Sequence, residues 1–410
     1  KRCPQTAAPK FDDVTKMPQP SSSPSCSTSL PVPTETFGCL PCRAAPAGSS
    51  ELAIVAADAL CVRCLIESRQ PFLIGRPGMG APEEVACAEA TELAGLKNAS
   101  SLFYARERAT LKTLNGVLTS SDADARVYAR CYWASVNASD LIVRIGGGAY
   151  MPLRKPFTVC TKPGSKHFHK TDVLLSRSGH FPARILGTYA LNPWMLIADA
   201  QHPTKHTVER DAAPDHEEQA ASSSSAAATT AVAPTEKPPH AQAKLLSEAF
   251  SWITALKGRT VAIVHPFNES IPKQLSKGSK ALWGEWRHYV MPEGIRFKMV
   301  AAPQNLAKAH ESTDWHDALS TLIQRVDAAR PFDLAMIACG GLGMPLGAYL
   351  RATNASAMYN GGDLQMWFGV YGKRWFGLGK MNLSFVGAWT RPSARETPAG
   401  ATAVEGGTYW

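Results

Sequence analysis

Short apolar runs alternate with helix-like segments through the second half of the chain, and this alternation limits the fold more than any other feature. The runs 260–264, 332–338 and 355–359 carry at most one charge each, and Pro or Gly follows each within two residues. Helices are predicted at 315–329 and 346–352. Continuous apolar strands joined by helices are typical of a parallel sheet covered on both faces. We therefore predict an α/β fold with a Rossmann-like, mostly parallel sheet.

The first half of the chain shows a weaker form of the same pattern. A helix is predicted to end near Ser68 and to lead into a short strand at 71–75. A second helix begins near Glu83, and an amphipathic helix at 122–138 leads into another strand at 140–145. These segments are expected to complete the same sheet.

Two segments of low complexity cannot bury an apolar core. One is rich in Pro, Ser and Thr, and the other is rich in Ala, Ser and Thr. We expect a single domain interrupted by the second segment, because long surface loops cost little closure entropy. The predicted organisation is a disordered leader or stem (1–48), an N-terminal half-domain (49–202), a disordered insertion (203–240), a C-terminal Rossmann-like half (241–390) and a C-terminal tail (391–410).

The chain is moderately basic, with 43 Lys and Arg against 34 Asp and Glu and a net charge of +9. The positive residues are scattered and form no stripe of the kind that nucleic-acid-binding proteins show. We therefore expect an anionic small molecule, a phosphorylated sugar, an acidic glycan or a membrane surface as partner, and no nucleic acid. The composition also excludes collagen-like and coiled-coil proteins.

Five N-x-S sequons and ten cysteines favour a Golgi-lumenal or secreted protein over a cytosolic one. The chain has no run of 18 or more apolar residues, so we expect any N-terminal membrane anchor to lie outside it. The candidate glycosylation sites are Asn98, Asn137, Asn268, Asn354 and Asn382.

Two C-x-x-C pairs, Cys39/Cys42 and Cys61/Cys64, are separated by 18 residues. This spacing formally fits a four-thiolate zinc site, but an apolar helix runs into Cys61, whereas zinc ribbons place their pairs on tight turns. Disulfides are the preferred interpretation in an oxidising compartment, and zinc or unpaired thiols remain alternatives.

Ligands of open α/β sheets bind beyond the carboxyl ends of the strands, and several loops here follow such ends. The loops are rich in glycine, which lets backbone N–H groups approach a phosphate closely at the start of a helix. Tight strand-to-helix turns are the alternative explanation of the same glycines. The candidate residues for binding a diphosphate are Arg76, Gly340, Gly341, Gly343, Gly361, Gly362, Asp363, Lys373 and Arg374.

Three residues near these loops are candidates for acid–base chemistry. Glu83 and Glu84 open a helix, where they either complement the helix dipole or act as a base or metal ligand. His265 follows a buried strand as a general base or as a hydrogen-bonded core histidine. The metal ligands stay unassigned.

Several of these segments resemble the GT-D fold-like glycosyltransferase family. The resemblance rests on the H-P-F that begins at His265, on the glycine loop at 340–347 and on the G-G-x-x-Q and G-K-R-W motifs at 361–375. It is close over 250–380 and looser over 50–200, where Arg76-Pro-Gly stands in place of the family's R-F-G loop. The acidic pair that family members carry directly after that loop is displaced here to Glu83 and Glu84.

The resemblance implies a glycosyltransferase that moves a sugar from a UDP- or GDP-sugar to a glycan or protein hydroxyl, with Mn²⁺ or Mg²⁺ as an optional cofactor. In such an enzyme His265 and Gln365 would line the site of the nucleotide-sugar donor. An alternative is a catalytically silent glycan-binding or wall-assembly protein that stacks sugars on Trp283, Trp286 and Trp315. A cytosolic α/β enzyme that binds another phosphorylated ligand is a third hypothesis.

Overall fold

A computed structural model describes residues 49, 51–77, 80–93, 100–143, 185–194, 196–197, 240–307, 311–377 and 388–410. The leader and nearly all of the predicted insertion lie outside these residues. Among them, no helix has the length and apolar character needed to cross a membrane.

The described strands form one sheet in which every neighbouring pair is parallel. Their order across the sheet is β3-β2-β1-β7-β6-β4-β5, so strands from both halves of the chain are joined by hydrogen bonds. The α/β prediction is thus confirmed. The strands are β1 (Leu73–Gly75), β2 (Leu141–Val143), β3 (Ile185–Leu186), β4 (Thr260–His265), β5 (Arg296–Ala301), β6 (Leu334–Ile337) and β7 (Ala357–Tyr359).

The helices occur before, between and after these strands. The helices predicted to end near Ser68 and to span 122–138 and 315–329 agree with the structure to within one residue, whereas several other helices were not predicted. The first helix along the chain is α1 (Glu51–Ser68), which precedes β1. Between β1 and β2 lie α2 (Ala81–Leu93), α3 (Ser101–Thr110), a π-helical turn (Leu111–Asn115) and α4 (Asp122–Asn137). The later helices are α5 (His240–Ala249), α6 (Ser251–Thr254), α7 (Ser270–Leu275), α8 (Ser279–Trp283), α9 (Arg287–Val290), α10 (Trp315–Ala328), α11 (Gly343–Ala352), α12 (Leu364–Trp367) and α13 (Lys373–Gly377).

Side chains alternate between the two faces of the sheet, and each face carries its own buried core. Along β4, Val261 and Ile263 belong to one core, whereas Ala262 and Val264 belong to the other. The first core includes α1, α6 and α12, and the second includes α2, α4, α10 and α11. Both faces are therefore apolar and covered, as a parallel sheet requires.

The topology brings the carboxyl ends of β1 and β7 together. Ile74 of β1 lies opposite Met358 of β7, and Tyr359 of β7 lies opposite Ile337 of β6. The loops that follow β1, β6 and β7 therefore meet at one edge of the sheet, although about 260 residues separate the first loop from the others.

Candidate functional site

An ion pair joins two of the predicted residues at this edge. Arg76, directly after β1, donates from Nη1 to the backbone oxygen of Asn360 (2.8 Å) and from Nη2 to Oδ2 of Asp363 (2.7 Å). The two charged side chains are only 10% and 12% exposed. Gly361 makes the contact feasible, since a Cβ there would lie 2.1 Å from Arg76 Nη1 and the φ of the residue is +67°.

Buried polar atoms without a hydrogen-bond partner occur on Arg76, on Asn360 and on Asn192, which follows the Leu191 whose carbonyl Asn360 contacts. They are Nε of Arg76, Oδ1 of Asn360 and both amide atoms of Asn192. Asn192 and Asn360 are 0% exposed. An unsatisfied buried donor or acceptor costs about 1–3 kcal/mol, so this region is suited to a molecule that supplies hydrogen bonds.

The glycine loop after β6 is held by two tyrosines. Tyr128 donates from its hydroxyl to the carbonyl of Gly341 (2.7 Å), and Tyr359 donates to the carbonyl of Gly340 (2.8 Å). A Cβ on Gly343 would lie 2.3 Å from the ring of Tyr359. The protein's own side chains thus account for these glycines. Contact between a diphosphate and the backbone N–H groups stays a prediction.

Glu83 is buried, and both of its carboxylate oxygens accept hydrogen bonds. Its Oε1 accepts a short hydrogen bond from the hydroxyl of Tyr132, and its Oε2 accepts from the N–H of Gly80 (2.9 Å). Glu83 is 3% exposed, whereas Glu84 is half-buried. Burial and then the negative charge of Glu83 raise the pKa of Tyr132 well above its ordinary value, so the tyrosine remains a hydrogen-bond donor.

Two tyrosines that the sequence reasoning missed lie among the predicted residues. Burial raises the pKa of Tyr359, the neighbouring Cys339 and Glu83 raise it further, and Arg76 opposes them. Burial also raises the pKa of Tyr409, with Arg374 opposing. Both hydroxyls therefore stay protonated at pH 7. The position of Tyr359 directly before the Asn360-Gly-Gly loop was a usable signal, but the sequence around Tyr409 offered none.

The loop after β7 packs against the last residues of the chain. A Cβ on Gly362 would lie 2.3 Å from the ring of Tyr409, and Gln365 donates from Nε2 to the backbone oxygen of Tyr409 (3.2 Å). Trp389, Val404 and Trp410 are buried in the first of the two cores, the one that includes α1, α6 and α12. The segment that was expected to be a tail is therefore part of the packed structure.

The two predicted cations after this loop contact the same segment. Lys373 donates from Nζ to the backbone oxygen of Gly406 (3.3 Å). A guanidinium nitrogen of Arg374 lies 4.0 Å from a carboxylate oxygen of Glu405, with the two side chains 42% and 53% exposed. Because so exposed a pair interacts weakly, Arg374 can exchange Glu405 for another anion at little cost.

His265 ends β4, two strands away from β7. Its Nδ1 accepts from the N–H of Phe267 (3.0 Å), which places the imidazole proton on Nε2. Burial lowers the pKa of His265 to about 3. Within the described residues, no hydrogen bond or ion pair joins it to Arg76 or Glu83, so its contacts are those of a neutral core histidine.

The remaining predicted residues are placed as follows. Asn268 and Asn354 are exposed, and Asn137 is half-buried with a buried Oδ1. Asn98, Asn382, Cys39 and Cys42 lie outside the described residues. Trp283 and Trp315 are at most 1% exposed and belong to the cores, so of the three tryptophans considered for stacking on sugars only Trp286 reaches the surface.

The disulfide prediction is corrected at Cys61. Its side chain is a thiol whose Sγ donates to the backbone oxygen of Ala57 (3.6 Å), because the helical turn of α1 directs it into the core. Cys64, three residues later, is disulfide-bonded, as are Cys87 and Cys131.

The part of the chain that the structure describes contains no group of three or more His, Cys, Asp or Glu side chains arranged to hold a metal ion. The contacts of the Glu83 carboxylate are the hydroxyl of Tyr132 and the N–H of Gly80. Binding of the divalent ion that the sequence resemblance allows stays a prediction.

No protein-family model matches the chain, and neither a curated protein nor a solved structure is significantly similar to it.

Proposed function

We propose that this chain is a glycosyltransferase that binds a nucleoside-diphosphate sugar at the carboxyl edge of its sheet, in a GT-D-like arrangement. The observation that carries the proposal is the buried guanidinium of Arg76, which lies at the meeting point of the loops after β1 and β7. Nucleotide ligands of open parallel sheets bind in this position. The similarity of 340–375 to glycosyltransferase motifs supports the same conclusion.

In this proposal the diphosphate contacts the backbone N–H groups near Gly340 and the exposed cations Lys373 and Arg374. These residues would stabilise the charge that develops on the diphosphate as its bond to the sugar breaks. The acceptor hydroxyl would form the new bond at the anomeric carbon, and its proton would pass to a carboxylate. Glu84 is the better candidate for that role, because its side chain is half-buried whereas Glu83 is only 3% exposed.

The proposal routes no step through a metal ion. Sequons on exposed positions and disulfide-bonded cysteines support placement in the Golgi lumen or outside the cell.

One observation favours a second candidate, a catalytically silent glycan-binding or wall-assembly protein. Glu83 and His265, two of the three residues considered for acid–base chemistry, are engaged in internal hydrogen bonds and buried. A sheet that binds a nucleotide sugar without a working base would retain recognition and lose turnover.

Binding and turnover of a panel of UDP- and GDP-sugars, measured with and without Mn²⁺, distinguish the two candidate functions. The first candidate requires a thermal shift and donor hydrolysis that Arg374→Ala abolishes. The matched control is Arg395→Ala, whose side chain is 87% exposed and pairs with Glu269 at 3.6 Å. Binding without turnover supports the second candidate, and absence of both effects refutes the nucleotide-sugar proposal.

A further inference from the structure

The unpartnered polar atoms belong to a group of residues that are linked by hydrogen bonds and one peptide bond. Nη1 of Arg76 bonds to the backbone oxygen of Asn360, and Nδ2 of Asn360 bonds to the backbone oxygen of Leu191 (3.2 Å). Asn192 is the next residue, and its whole amide lacks a partner. The group therefore joins the carboxyl ends of β1 and β7 to the segment that follows β3.

The group is balanced in donors and acceptors. Arg76 Nε and Asn192 Nδ2 offer N–H donors, whereas Asn192 Oδ1 and Asn360 Oδ1 are acceptors. Asp363 already compensates the charge of Arg76. A second anion would find no uncompensated charge here, and an apolar ligand would leave all these atoms unsatisfied. Hydroxyl groups, which both donate and accept, complement the group best.

We propose that Asn192, Asn360 and the Nε edge of Arg76 form a binding site for a neutral polyhydroxyl ligand, the chemical class of a sugar ring. This site is separate from the exposed cations Lys373 and Arg374, which suit the charged part of a donor. The proposal deepens the proposed function, on which the assignment of the ligand as the donor's sugar rests.

The test compares the affinity for UDP with that for UDP-glucose and UDP-galactose, and GDP with GDP-mannose, by calorimetry. The wild type is expected to bind at least one nucleotide sugar about tenfold more tightly than its nucleotide, since two gained hydrogen bonds correspond to that ratio. Asn192→Leu removes the amide at similar volume and is expected to abolish the preference while leaving nucleotide affinity unchanged.

A matched control is Ser251→Ala, because Ser251 is also a buried residue with an unpartnered Oγ but lies on α6. It is expected to retain the tenfold preference. If Asn192→Leu does not fold, Asn192→Ala removes the same amide with a smaller side chain. Equal affinities for nucleotide and nucleotide sugar in the wild type, or a preference that survives loss of the Asn192 amide, overturn the proposal.

A separate experiment distinguishes failure of the proposed function from failure of the sugar site. If no nucleotide binds, saturation-transfer NMR with the methyl glycosides of glucose, galactose and mannose tests the sugar site directly. A signal in the wild type that Asn192→Leu removes and Ser251→Ala retains supports the site and excludes the nucleotide donor. No signal in the wild type overturns the site as well, and the unpartnered atoms then bind ordered water.

Discussion

Removal of the Asp363 carboxylate should destabilise the protein more than any loss of an exposed ion pair. Asp363→Ala would leave the Arg76 guanidinium with its bond to Asn360 but without its counter-charge, in a site where the arginine side chain is only 10% exposed. Breaking one partner of a buried pair costs about 3–5 kcal/mol, because an uncompensated charge stays buried. We expect the free energy of unfolding to fall by about that amount.

The double variant Arg76→Met/Asp363→Leu should recover most of the loss, since neither charge then needs solvation. Urea unfolding followed by tryptophan fluorescence and by circular dichroism measures the effect, with coincident transitions as the check of two-state behaviour. Arg395→Ala, which removes a pair that is 87% and 47% exposed, serves as the control and should change stability by less than about 1 kcal/mol. A loss below about 1 kcal/mol for Asp363→Ala, or a double variant less stable than the single one, would refute this reasoning.

Three further predictions follow from individual contacts. Gly341→Ala should lower the free energy of unfolding by about 1–3 kcal/mol, because the new methyl group would lie 2.5 Å from Val117 and 2.8 Å from the Tyr128 hydroxyl. Gly80→Ala, with its nearest contact at 3.4 Å, should cost less in the same denaturation assay. The buried neutral His265 should make stability decrease as pH falls from about 6.5, the unfolded pKa, towards its folded pKa of about 3, since only the unfolded state binds the proton in that window. His265→Gln should flatten this part of the stability–pH curve, and an unchanged curve would contradict the assignment. In a secretory expression host, peptide mass spectrometry should find glycans on the exposed Asn268 and Asn354 but not on Asn137, whose Oδ1 is buried, and a glycan on Asn137 would disprove the argument.

The strands that sequence reasoning identified are those buried on both faces. The residues of β4, β6 and β7 are nearly all buried, so each strand reads as a continuous apolar run. In contrast, β5 lies at the edge of the sheet, begins with the exposed Arg296 and includes the partly buried Lys298. Its mixed sequence resembles a loop, and β3, with only two residues, is too short for any periodicity to appear.

Sequence reasoning could place Arg76, Gly361 and Asp363 each at a strand end, but their contact depends on strand order. In a doubly wound sheet with the common strand order 3-2-1-4, the fourth strand along the chain lies beside β1. Here β7 occupies that position, and this pairing brings the loop after β7 to Arg76. Local propensity does not specify which of the strands β4 to β7 pairs with β1. The ion pair between Arg76 and Asp363 could therefore be recognised only from the complete strand order.

The role of each loop glycine at this site could not be predicted from the sequence. A glycine that admits a phosphate and a glycine that admits the protein's own side chain are identical in sequence, and both follow a strand. At Gly343 the neighbour is the ring of Tyr359, at Gly362 it is the ring of Tyr409, and at Gly361 it is the guanidinium of Arg76. The first two are explained without a ligand, whereas the third positions a cation that retains an unpartnered Nε. The proposal of a ligand at this edge therefore rests on the unpartnered atoms of Arg76, Asn192 and Asn360. Gly361 contributes only by leaving room for the Arg76 guanidinium.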